Sequence, residues 1–158
     1  MSKVRVWTVC CFVLVLAGMA NAQRGKAGLW EITSSMTMSG GPMNVPQMPP
    51  RTSQVCVSQA MVDKYGGPTT SPGRGNCQMT NVVVTATGMT ANMSCSGQMN
   101  MTGTVQTTFV DANTTKSTIH MTMTTGNGQT MTTTTESTST YKGPDCGSVQ
   151  PLPMPTSK

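Results

Sequence analysis

The sequence predicts a mainly β protein: an antiparallel meander forming a curved sheet or open barrel, with one short helix and two disulfides. Three observations lead there. Apolar and polar residues alternate with period two over long stretches, and Gly, Pro and Asn interrupt them at short intervals. Four cysteines are then spread through a chain that begins with an export signal.

That signal comes first in order. Lys3 and Arg5 form a basic start, an apolar run from Val6 through Met19 is broken only by Thr8, and Ala20-Asn21-Ala22 supplies the small-residue cleavage site. The run falls short of the roughly 18 apolar residues that a spanning helix needs. Cleavage between Ala22 and Gln23 is therefore expected. Residues 1–22 are then a signal peptide, 23–146 a single β-rich domain and 147–158 a disordered Pro-rich tail. A lipid anchor is disfavoured, because Met19 stands after Leu16-Ala17-Gly18 where a cysteine would have to be. With no later segment able to span a bilayer, the expected location is periplasmic or secreted.

Cysteine usage fits that address. Cys10 and Cys11 lie in the discarded segment, which leaves Cys56, Cys77, Cys95 and Cys146 for an oxidising compartment. Their wide spacing lacks the close pairs of a structural zinc site, so two disulfides are expected. Three pairings exist. Cys56 with Cys77 and Cys95 with Cys146 is preferred, since the first closes one local excursion and the second ties the tail to the sheet. The disulfides matter because the core is thin. Leu29, Leu152, Ile32, Ile119 and Phe109 are all the Leu, Ile and Phe after Gln23, and Met supplies much of the missing apolar volume.

From Gly28 to Met38, Trp30, Ile32, Met36 and Met38 share one parity, which marks a half-buried strand. Pro42, Pro46, Pro49 and Pro50 exclude ladder pairing in the following loop. Arg51 to Val57 reads as a second strand. Ser58 caps a short helix, Gln59 to Tyr65, which Gly66-Gly67-Pro68 ends. Cys77 to Ala86 is a Val-rich strand. From Met89 the odd positions Met89, Ala91, Met93, Cys95, Met99 and Met101 face one side, and Val105, Thr107 and Phe109 continue the pattern past Gly103, read as a bend or bulge. Asp111-Ala112-Asn113 and Gly126-Asn127-Gly128 read as turns on either side of a strand from Thr115 to Thr124. Gln129 to Lys142 is a last strand built almost wholly of Thr and Ser.

Several of these features occur together in a known family. Gly28-Leu29-Trp30-Glu31 just after a signal peptide, a Pro/Met loop leading to Gln54-Val55-Cys56-Val57, the spaced Cys77 and Cys95, Met121-Thr122-Met123, and the closing Gly143-Pro144-Asp145-Cys146 follow one another in order. Together they resemble the small secreted proteins of Gram-negative bacteria grouped as domain-of-unknown-function family 3617. The likeness runs from Gly28 to Cys146. It implies an exported bacterial β-rich domain with four cysteines and carries no activity, substrate or catalytic residue. The Thr-rich last strand and the Pro-rich extension depart from the family pattern.

Methionine is the compositional outlier, with 16 residues. Met36-Thr37-Met38, Met99-Asn100-Met101 and Met121-Thr122-Met123 each place two thioethers on one strand face, about 6.6 Å apart. Thioethers are soft ligands for Cu(I), and His120 lies beside the last pair, so Met99, Met101, His120, Met121 and Met123 are the candidate metal ligands. Core packing is the favoured reading of the same pattern, because the methionines fall on the periodic apolar face while His120 has the opposite parity. A third reading is an incompletely covered Met face, Met89 to Met101, that takes an apolar ligand or an envelope protein. Catalysis is disfavoured: one histidine and the scattered acids Glu31, Asp63, Asp111, Glu136 and Asp145 form no acid/base pair. No cofactor is expected. Nucleic acid is disfavoured as a partner, since the basic residues are dispersed and aromatic residues are few.

Overall fold

A computed structural model describes residues 24–40, 48–69, 76–96, 100–124, 128–154 and 156–157. The predicted signal peptide and its cleavage point at Ala22 and Gln23 lie outside the described residues, as does Met99. The elements are β1 (Gly28–Ser39), β2 (Arg51–Val57), α1 (Gln59–Tyr65), β3 (Asn76–Val84), β4 (Gly88–Ser96), β5 (Met101–Asp111), β6 (Thr114–Thr124), β7 (Thr130–Gly143) and β8 (Thr156–Ser157). Seven strands form one open antiparallel sheet in the order β2-β1-β7-β6-β5-β4-β3, and β8 lies parallel beside β3.

The expected meander covers β3 to β7. Short connections explain it: in the β5–β6 hairpin only Ala112 and Asn113 separate the strands, and the Asp111 carboxylate accepts the Asn113 N–H at 2.6 Å. The β1–β2 hairpin joins this meander at its far side through β1–β7 pairing, which starts with Leu29 opposite Gly143, shifts once between Leu29 and Trp30, and then runs in register from Trp30 opposite Tyr141 to Ser39 opposite Thr132. The chain therefore has to pass from one edge of the sheet to the other between β2 and β3. α1 lies in that connection. Ser58 Oγ accepts the Met61 N–H, and Gly66 closes the helix in the left-handed region (φ 80°), donating its N–H to the Val62 carbonyl at 2.7 Å. Met61, Val62 and Tyr65 are buried along one side of the helix.

One face of the sheet carries the core: Trp30, Ile32, Met79, Met89, Ala91, Met93, Val105, Phe109, Ile119 and Met121 are all buried. Trp30 is fully buried, meets Tyr141 edge-on at 5.5 Å and donates its indole N–H to the Lys26 carbonyl. The segment before β1 is thereby held down, and the Gly25 N–H bonds the Gly66 carbonyl at 2.8 Å. Gly66 is also required sterically, because a Cβ there would meet the Phe109 ring.

Three expectations change. The alternation from Met89 to Phe109 is two strands rather than one, β4 and β5, whose ladders keep the same odd residues inward after the chain reverses between them. Gly103 is neither bend nor bulge, as it lies in continuous register with Met93 and Met121. Register shifts lie elsewhere: in β3 between Thr80 and Val83, where Asn81 adopts φ 52°, in β1 between Leu29 and Trp30, and in β5 between Phe109 and Asp111. The disulfides are Cys56–Cys146 and Cys77–Cys95, not the preferred pairing. Register decides this: Cys77 stands directly opposite Cys95 in the β3–β4 ladder, whereas Cys56 and Cys146 meet because β1 brings β2 and the end of β7 to one side of the sheet.

The residues after Cys146 are also engaged. The Leu152 N–H bonds the Cys56 carbonyl, and Thr156 then pairs with Gln78 on the opposite edge. The five residues from Leu152 to Thr156 reach at most about 17 Å, and a strand spacing of about 5 Å adds at each end, so the two edges of the open sheet lie within about 27 Å of each other.

The two disulfides constrain loops of very different length, 90 and 18 residues in separation. Replacing Cys56 and Cys146 by Ala is expected to cost about 4 to 5 kcal/mol, and replacing Cys77 and Cys95 about 3 kcal/mol. Urea denaturation of the two double variants measures both losses, and the opposite order would contradict the assignment of the longer closure to the sheet's overall integrity.

Candidate functional site

The inner face is ordered in lateral rows, each made of register partners from successive strands. The helix end meets the row of Phe109 and Thr115 through Gly66 and Gly67. In the next row small hydroxyl residues follow one another: Thr107, Ser117, Ser137 and Ser34 pair in sequence from β5 to β1. Thr107 and Ser117 share a hydrogen bond of 2.8 Å, which satisfies both groups.

Toward the other end of the strands the rows change character. Met79, Met93, Gly103, Met121, Thr133 and Met38 follow one another from β3 to β1. The next row is Cys77, Cys95, Met101, Met123 and Met131, five sulfur-bearing residues on five adjacent strands. Burial declines along this direction. Met89, Met93 and Met121 are buried, Met36, Met101, Met123 and Met131 are half-buried, and Met38 is exposed. Met89 and Met93 therefore belong to the core, and among the described methionines of the predicted Met face it is Met101 that meets solvent. Gly103 occupies the centre of its row because a Cβ would meet the His120 carbonyl and the Met121 sulfur.

Among the predicted metal ligands, Met101, Met121 and Met123 share this face. His120 does not. It is exposed on the opposite face, between Thr104 and Thr134, with Nδ1 3.0 Å from the Thr134 hydroxyl. Met131 was not singled out by its sequence, since it stands alone among threonines; only the β6–β7 register places it opposite Met123. Among the described residues no three His, Cys, Asp or Glu side chains cluster in a way that could hold a metal ion.

The carboxylates are separated and largely occupied. Glu31 pairs with Lys142 at 2.8 Å in a partly exposed ion pair, Asp63 accepts from Gln59, and Asp111 and Asp145 each accept a backbone N–H two residues on. The outer face is a carpet of Thr and Ser. It holds a shallow groove of about 420 Å³ lined by Thr33, Ser35, Pro50, Lys116, Thr118 and Glu136. No helix among the described residues is long and apolar enough to cross a membrane.

Residues 25–146 match the family model described as "Protein of unknown function (DUF3617)". No curated protein and no solved structure matches the chain.

Two substitutions check the assignment of faces. Gly103→Ala is expected to destabilise by about 1 to 3 kcal/mol through overpacking. His120→Ala, on the exposed face, is expected to stay within about 0.5 kcal/mol of the parent. Chemical denaturation of both variants is the measurement, and a larger loss for His120 would place it in the packed interior.

Proposed function

We propose, from the premise that the chain belongs to the family of proteins of unknown function DUF3617, that it is an exported, non-catalytic envelope protein that binds an apolar ligand or protein segment. The binding surface is the methionine-lined end of the inner sheet face. The observation that carries this reading is the graded burial of that face: α1 covers one end, while Met36, Met38, Met101, Met123 and Met131 are left partly accessible at the other. Flexible, polarisable thioethers adapt to ligands of differing shape better than branched side chains do. Large apolar residues kept in contact with water across several strands are a recognised mark of an interaction surface.

Export is supported from two directions. The disulfides Cys56–Cys146 and Cys77–Cys95 require an oxidising compartment for their formation. Gly25, buried and bonded to the Gly66 carbonyl, follows the predicted cleavage point, so a periplasmic or secreted chain starting at Gln23 keeps the described contacts of the segment before β1. A non-catalytic role agrees with four of the five carboxylates being engaged in local pairs and turns.

Expression with the native N-terminus in a Gram-negative host is expected to yield an extracytoplasmic chain whose mass begins at Gln23; a full-length membrane-bound product would refute export by cleavage. Titration with a saturated fatty acid and with a short apolar peptide is expected to shift the methyl resonances of Met36, Met101, Met123 and Met131 saturably for one of the two. Met123→Gln and Met131→Gln should weaken that binding, and Met123→Leu should preserve it. Saturable shifts confined to other parts of the sheet, or none with either probe, would overturn the reading.

A further inference from the structure

We propose that Met101, Met123 and Met131 form a three-coordinate thioether site for a soft monovalent cation, Cu(I) or Ag(I). The three residues are direct register partners on β5, β6 and β7 and lie on one face. Directly opposed residues of an antiparallel ladder have Cβ atoms about 4.5 to 5.5 Å apart, closer than the i, i+2 spacing within any single M-x-M pair. Met101 and Met131 are then about 10 Å apart across two strand spacings, with Met123 between them. Their flexible side chains can lean toward Met123 and bring the three sulfurs together.

The surroundings favour these three over the other sulfur atoms. All three are half-buried, so an ion can reach them while part of its hydration is replaced by protein. Met121, one row away, is 8% exposed and faces Gly103, and Met79 and Met93 are 2% exposed within the core. At one flank of the row the neighbouring sulfur, Cys95, is held in the Cys77–Cys95 disulfide. At the other flank stands Gly40, where a Cβ would meet the Thr130 carbonyl and, at 3.4 Å, the Cα of Met131. The absence of a side chain there leaves the Met131 thioether room to turn inward.

The ligand set also selects the ion. Thioethers are neutral and soft, and the residues of the adjacent row on this face, Gly103, Met121, Thr133 and Met38, carry no charge. A divalent ion would keep its full charge in a partly desolvated position, whereas Cu(I) and Ag(I) bring a single charge and prefer sulfur. His120 takes no part, because it faces the other side of the sheet. Since thioethers do not titrate, binding persists from about pH 7 to about pH 5, a range in which an imidazole ligand would be lost to protonation. The site shares the open end of the sheet with the function proposed above but not its chemistry: Leu replaces Met well for an apolar ligand and not at all for a metal.

Titration of the disulfide-intact mature chain with Ag(I), followed through its methionine methyl resonances, tests the site. Expected are one-to-one saturation at micromolar or lower concentration and shifts centred on Met101, Met123 and Met131. Binding should be unchanged at about pH 5 and by His120→Ala. It should weaken at least about tenfold, or 1.4 kcal/mol, on Met123→Leu and separately on Met131→Leu, whose position at the half-buried margin spares the fold. Unchanged binding in both Leu variants, loss of binding on His120→Ala, or no saturable shift would overturn the proposal, and apolar-ligand binding retained by Met123→Leu would leave the previous reading standing.

Discussion

The antiparallel pairing of β1 with β7 is the constraint on which the remaining structure depends. It joins the first and last long strands along almost their whole length, Leu29 opposite Gly143 through Ser39 opposite Thr132. Without it the β1–β2 hairpin would be a two-stranded unit of marginal stability, detached from the meander. Bringing such distant segments together costs chain entropy that no local turn recovers. Two features offset it at the same end of the ladder: the Cys56–Cys146 disulfide, and the Trp30–Tyr141 contact with its hydrogen bonds to the segment before β1. Pairing of the outer strands also obliges the chain to cross between the sheet edges, and that crossing places α1 over one end of the core face.

A core with few Leu, Ile and Phe is accommodated by dividing the inner face. At the helix end of the face Thr115 lies against Gly67, and in the next row hydroxyl polarity is answered within the protein, as Thr107 and Ser117 illustrate. Thr69 and Thr115 are the described side chains whose buried hydroxyls have no protein partner, and both belong to this helix-proximal region or the loop that follows it. Away from the helix, methionine takes over. The volume is similar to that of leucine, but its flexibility lets one residue type fill positions of different shape across β3 to β7. The same substitution that completes the core leaves thioethers partly exposed where α1 no longer covers the sheet.

Much of this was legible from the residues. The period-two patterns located β1, β2, β3, β6 and β7 to within a residue or two at each end, and Ser58 with Gly66-Gly67 bounded the helix at Gln59 and Tyr65. The inward parity of Met93, Met101, Met121 and Met123, and the outward parity of His120, followed from alternation alone. What failed shares one cause. The break between β4 and β5 was hidden because a reversal that preserves parity leaves the alternation intact. The Cys56–Cys146 and Cys77–Cys95 pairing was missed because proximity along the chain was weighed where register across the sheet decides. Met131 was overlooked because a lone apolar residue in a run of threonines has no period of its own.

The sequence by itself therefore determined which residues form strands, which face each side chain takes and, through the export signal and the cysteine count, the need for disulfides. Those properties depend on local sterics, on the two-residue repeat of a strand and on the chemistry of single side chains. Tertiary structure alone decided which strands are neighbours, and with that the disulfide partners, the order β2-β1-β7 at the sheet edge, and the meeting of Met101, Met123 and Met131 in one row. Strand adjacency is a balance between burial and the entropy of closing long loops, and that balance is a property of the whole chain rather than of any segment in it.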